Sequence, residues 1–195
     1  MSSQPTESQR RTWETKGANA SPAIWCEILP ITLADGQIVH VQRQQDGASA
    51  AWYEPHSAVA HPSDAVRACV EMFFGATLDA CAAVVHSTAW RYEPSDRPGG
   101  RLILTYLAIL PPLSALGCAR TSGQITLVPV GTGLPARSGT LVPPEQISLA
   151  QVLAHALDHL TLLLATDQAI AAALGAGWRK NLAQRQQRPA GEFQG

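Results

Sequence analysis

Hydrophobic positions along the chain follow two rhythms, separated by clusters of Gly, Pro, Asp and Ser. From Ile24 to Leu33 the run is nearly all apolar, and from Gln37 to Arg43 it alternates, with Ile38, His40 and Gln42 set against Gln37, Val39 and Val41. Between them, Ala34, Asp35 and Gly36 form a tight-turn signal, so a β-hairpin is predicted. Ser49 to Tyr53 predicts a short third strand that Pro55 must end, because proline cannot donate to a strand ladder. The strongest strands are 82–92 and 101–110, joined by a Pro- and Gly-rich turn from Glu93 to Gly100; they are predicted to pair antiparallel as a long central hairpin. One further strand, Gln124 to Val130, lies in a loop-rich stretch between Pro111 and Pro144.

The helical rhythm occurs three times. Ser63 is a cap candidate, and Val66, Cys69, Val70, Phe73 and Phe74 share one helical face before Gly75 stops the turn, which predicts a helix over 63–74. Over 148–164, Leu149, Val152, Leu153, Ala156, Leu157 and Leu160 begin a wide apolar stripe. Thr166 and Asp167 then cap a short helix, 168–174, ended by Gly175. The elements predict an α+β fold, a mixed β-sheet flanked by helices. Residues 1–21 are polar with little to bury and are expected as a tail, 22–182 as one domain, and 183–195 as a polar C-terminal tail.

Composition narrows the function classes. The chain has 195 residues, 46% of them hydrophobic, enough to bury a core without covalent staples. Fourteen Lys and Arg against fifteen Asp and Glu give a net charge of −1, with no basic stripe along any element, so neither nucleic acid nor an anionic membrane is indicated as a partner. Charged residues make up 15% of the chain, below the roughly 25% of an average soluble domain, which points to surface covered by a partner or a second copy. Cys26, Cys69, Cys81 and Cys118 show no zinc-binding spacing and read as reduced core thiols. No secretory signal follows Arg10 and Arg11, and the apolar stretches 102–110 and 160–165 fall short of a membrane span, so the cytoplasm is the expected compartment.

Candidate chemistry is concentrated in the strand from His86 to Tyr92. Alternation places His86, Thr88, Trp90 and Tyr92 on one face and Ser87, Ala89 and Arg91 on the other. His86 and Trp90, with the neighbouring hydroxyls, suit stacking on and hydrogen bonding to a planar or phosphorylated ligand. The structural alternative packs Trp90 into the core and leaves His86 exposed, because the bulkiest apolar ring belongs on the buried face. Arg67 and Glu71 stand four apart on the polar side of their predicted helix, as an exposed ion pair would. His155 and His159 share a helical face as in the H-E-x-x-H zinc motif, but Ala156 occupies the position of its general base; with Gln151 and Asp158 they read as the polar side of an amphipathic helix. No metal, cofactor or catalytic residue is assigned.

The order of elements, from the first hairpin through the Trp-containing strand to the C-terminal helix, resembles a Nudix domain over 24 to 165. Trp52 and Pro55 resemble the residues preceding that family's box, and 65–71 resembles the box helix, whose pattern is G-x5-E-x7-R-E-U-x-E-E-x-G-U. Arg67 takes the family's Arg position and Glu71 one of its later Glu positions, while Tyr53, Val59, Ala68, Met72 and Phe74 stand where the pattern has Gly or Glu. The resemblance implies a Nudix-like α/β/α sandwich. It also implies loss of the family's diphosphate hydrolysis, which holds Mg²⁺ on clustered carboxylates. The expected function is a ligand-binding or protein-interaction module serving a small-molecule or protein partner, with His86, Trp90, Arg91, Arg67 and Glu71 as binding residues. The alternatives are a divergent metal-dependent hydrolase of phosphorylated small molecules and a structural subunit of an assembly, including a homo-oligomer.

Overall fold

Two consecutive residues in the left-handed region, Asp35 at φ 50° and Gly36 at φ 77°, turn strand β1 (Ala23–Ala34) back into β2 (Gln37–Gln45). That backbone matches the twist of a two-residue hairpin, and Asp and Gly tolerate it better than most residues. The structure is a computed structural model and describes residues 21–45, 48–50, 52–55, 61, 63–64, 66–68, 84–93, 99–111, 125–130 and 147–192. The third strand expected from sequence is two short ones, β3 (Ala48–Ala50) on β2 and β4 (Trp52–Pro55) on β1.

The long hairpin joins β5 (Val84–Glu93) antiparallel to β6 (Arg101–Ile109), as its turn residues predict. Strand β6 lies parallel to β1 in register from Ala23↔Arg101 to Ile31↔Ile109, and β7 (Ile125–Pro129) pairs antiparallel with β2. With β8 (Gly191–Glu192) parallel to β5, the sheet is mixed and runs β3-β2-β1-β6-β5-β8, with β4 on β1 and β7 on β2 off that path.

Helix α1 (Leu149–Thr166) starts at a reciprocal cap: Gln151 N–H donates to Ser148 Oγ, while Ser148 N–H donates to Gln151 Oε1 at 2.8 Å. Its stripe of Val152, Leu153, Ala156, Leu157 and Leu160 packs in one core with Leu29, Ile31, Ile38, Leu107 and Ile109 from the sheet. Each such Leu or Ile contributes about 1.5–3 kcal/mol through burial, and this drives the helix onto the sheet. Asp167 caps α2 (Gln168–Leu182) by accepting from the amides of Ala169 and Ile170. Gly175, at φ 72° and ψ −167°, breaks the helix where the sequence ends it, yet the chain re-enters a helix and places Trp178 and Leu182 in the same core.

Cys26, Ile28, Tyr106 and Ala108, which alternate with the α1-facing positions, are buried on the other face. Cys26 is buried, as a core thiol is expected to be; the other three cysteines lie outside the described residues. Of the helix expected over 63–74, residues 63–64 and 66–68 are described and helical, with Val66 buried and Arg67 exposed. Glu71 and the expected stop at Gly75 lie outside the described residues. The stretch 183–192, expected as tail, instead returns along α1 and ends in β8 on β5.

Candidate functional site

Strand β5 organises the polar groups of the sheet, and a bulge decides which way each one points. Ser87 is opposite Tyr106 and Ala89 is opposite Thr105, so Thr88 is the extra residue. An inserted residue inverts the alternation beyond it. Before the bulge, His86 lies on the α1 side, opposite Leu107; after it, Ala89 and Arg91 take that side and Trp90 turns away. The simple alternation expected from sequence, with His86, Thr88, Trp90 and Tyr92 on one face, is therefore corrected. So is the packing of Trp90 in the core: its side chain is 41% exposed. His86 is half-buried. The bulge's polar groups are satisfied from both sides, because Thr88 Oγ1 donates to Thr105 O and Thr88 O accepts from His155 Nε2 at 3.1 Å.

Turned inward, Arg91 meets Glu27, the lone charge in the apolar run of β1. Nη1 and Nη2 donate to Glu27 Oε2 and Oε1 at 2.6 and 3.0 Å, and the two side chains are 5% and 1% exposed. Thr105 between them donates its hydroxyl to Glu27 Oε2 at 2.8 Å. Arg91 Nε reaches Glu93 Oε1 at 3.2 Å, and Glu93 Oε2 accepts from Arg101 Nη2 at 2.9 Å. Two carboxylates and two guanidiniums thus alternate across β1, β5 and β6. Such a pair is held by planar, two-pronged geometry, and its cost in desolvation is offset only while both partners stay.

His40 lies on the same side, opposite Ile31 and 1% exposed. Gln42 Nε2 donates to its Nδ1 at 3.2 Å, which puts the ring proton on Nε2, and that atom has no hydrogen-bond partner among the described residues. Burial pushes the imidazole down to about 4, against a weaker upward pull from Glu27.

The histidines of α1 also depart from expectation. His155 and His159, read from sequence as its polar side, are buried, because each meets a backbone carbonyl: His155 that of Thr88 in the sheet, His159 that of Arg188 in the stretch after α2. His159 Nδ1 donates to Arg188 O at 3.0 Å, and its Nε2 lies 3.3 Å from His86 Nδ1, with the rings tilted at 49° and their centroids 5.1 Å apart. Burial holds His159 below the ordinary histidine range, opposed by the bond to Arg188 O and helped by His86.

Of the residues expected to bind, the structure therefore brings His86, Trp90 and Arg91 onto one strand but splits them between two faces, with Arg91 engaged inside the sheet. Arg67 is exposed on its helical segment. Glu27, Thr105 and His40 were missed; the available signal was a single carboxylate in an otherwise apolar strand, which must find a cation. Among the described residues, no three His, Cys, Asp or Glu side chains are grouped to hold a metal ion.

Neither a protein-family model nor a curated protein matches the sequence. Solved structures do match in fold. NrtR of Shewanella oneidensis, complexed with a 27mer DNA, aligns at 12% identity over 84% of this chain and 77% of its own, with a TM-score of 0.59. The same protein in a second structure aligns at 12% identity over 84% of this chain and 79% of that chain, again at TM-score 0.59. A MutT/nudix family protein from Enterococcus faecalis aligns at 11% identity over 88% of this chain and 75% of its own, with TM-score 0.55. Mixed sheet, covering helices and strand order together make this chain a Nudix-like α+β fold.

Proposed function

We propose that this Nudix-like domain lacks a catalytic metal site and serves as a ligand-binding or protein-interaction module. The observation that carries the reading is the disposition of its carboxylates. Val59, Ala68 and Met72 stand at Glu positions of the family's box. The acidic side chains described on the sheet and α1 are engaged by arginine: Glu27 by Arg91, Glu93 by Arg91 and Arg101, and Asp158 by Arg185 and Arg188. A hard divalent cation needs several oxygen ligands with free lone pairs, and a guanidinium already bonded to a carboxylate competes for them.

The surface offered to a ligand or partner comprises the exposed indole of Trp90, half-buried His86 on the opposite side of the sheet and exposed Arg67, while Glu71, also expected to bind, lies outside the described residues. An exposed indole presents a rigid apolar plate with a donor at its edge, a usual anchor in recognition. Arg91 supports such a surface indirectly, by fixing β5 against β1.

The test is thermal unfolding with nucleotides and nucleoside diphosphate derivatives, with and without Mg²⁺ or Mn²⁺, alongside phosphate-release turnover. A ligand that binds only the native state raises the melting temperature. Stabilisation that does not require the metal, without turnover, is expected. Robust metal-dependent turnover that Glu71→Gln abolishes would overturn the proposal in favour of a divergent hydrolase.

A further inference from the structure

The stretch after α2 is fastened at one place. Arg185 donates from Nε to Asp158 Oδ1 and from Nη2 to Ala154 O, each at 2.9 Å. Arg188 N–H donates to Asp158 O at 3.2 Å, its Nε lies 3.5 Å from Asp158 Oδ2, and its own carbonyl accepts from His159. Beyond this anchor, among the described residues, the chain adds the two residues of β8 to β5, at Ala89 and Trp90. A two-residue strand is too short to hold by itself. We propose that residues 183–192 are a proton-operated strap, closed over α1 and the β5 edge while His159 is neutral and released when it is protonated.

The hydrogen-bond directions make the ring a sensor. Arg188 O can only accept, so His159 carries its proton on Nδ1 and presents a bare lone pair at Nε2. His86 Nδ1 also lies 3.0 Å from Ser87 O, an acceptor, so it is a donor shared between that oxygen and His159 Nε2. A second proton on His159 would set two N–H groups against each other at 3.3 Å. Among the described residues, the titratable and charged groups around the ring are His86 from β5, His155 and Asp158 from α1, and Arg185 and Arg188 from the strap. Two arginines against one aspartate already leave net positive charge there, and protonation of His159 adds to it. Since burial lowers the His159 pKa in the closed state, closure is fully present above the ordinary histidine value and weakens as pH falls below it. Release unpairs the β5 edge beside Trp90, leaving backbone groups that another extended chain can use.

Hydrogen–deuterium exchange of the full chain, corrected for the intrinsic pH dependence of exchange, tests this. Between about pH 7 and pH 5, the opening equilibrium of 183–192 is expected to rise by up to about tenfold for each pH unit, while 152–160 and 103–109 stay protected. In His159→Asn, whose amide can still donate to Arg188 O without titrating, protection of the strap becomes independent of pH over the same range. Asp158→Asn, which removes the counter-charge, loosens the strap at neutral pH. Strap protection that is unchanged by acid, that is lost only together with 103–109, or that is lost equally in His159→Asn would overturn the proposal.

Discussion

His40 couples the stability of the whole domain to pH, and the size of the coupling follows from its burial. The ring is 1% exposed, its Nδ1 is taken by Gln42, and its Nε2 proton meets no acceptor among the described residues. Protonating it inside the fold adds a charge that the sheet does not solvate, whereas the unfolded chain accepts the same proton freely. Because the folded pKa is depressed from 6.5 to about 4, the stability present above pH 6.5 is lost as the pH falls between those values. At 1.36 kcal/mol per unit, the loss approaches about 3 kcal/mol, a large part of a typical domain's stability. Urea unfolding followed by tryptophan fluorescence at successive pH values measures it, with stability taken by linear extrapolation. His40→Leu removes both the titration and the orphaned donor, and other titrating groups largely cancel in the difference from wild type. The difference is expected to be flat above about pH 6.5 and to grow in favour of the variant towards pH 4. Parallel pH profiles for wild type and His40→Leu would refute the reasoning.

Two more outcomes bear on β5. Arg91→Leu leaves Glu27 buried without its guanidinium and is expected to cost about 3–5 kcal/mol in urea unfolding, with much of the loss recovered in the double variant that adds Glu27→Leu. No recovery would mean that Arg91 matters for its packing and not as the partner of a buried charge. Trp90→Ala is expected to cost less than about 2 kcal/mol, because the ring is substantially exposed, while weakening any ligand found by thermal shift. A loss of core-truncation size would move Trp90 back among the packing residues.

Strand and helix positions were legible because each depends on neighbours along the chain. A strand that buries one face must alternate, a helix that buries one stripe must repeat every three to four positions, and Asp35 with Gly36 or Ser148 with Gln151 satisfies its local backbone within a few residues. The α1 core, the β1–β2 turn and the β5–β6 hairpin followed from such rules. The histidines show their limit: the helical period places His155 and His159 on one face of α1, but what lies opposite that face is not a property of the helix.

Local pattern was enough for most of the strands, the two long hairpins, the stripe that seats α1 and the order that resembles a Nudix domain. Tertiary structure alone decided the polar arrangement. A single inserted residue at Thr88 reversed the alternation, sending Trp90 outward and Arg91 inward, and no periodicity marks where a bulge will fall. Glu27 and Arg91 lie 64 positions apart, so their pairing exists only once β1, β6 and β5 are laid side by side. The strap was hidden for a related reason. Its residues are polar and read as tail, since they are held by charge and hydrogen bonds to Asp158 and His159 instead of by apolar burial. Local patterns record which side chains avoid water, and the partner of a buried charge is fixed by the fold that brings the two together.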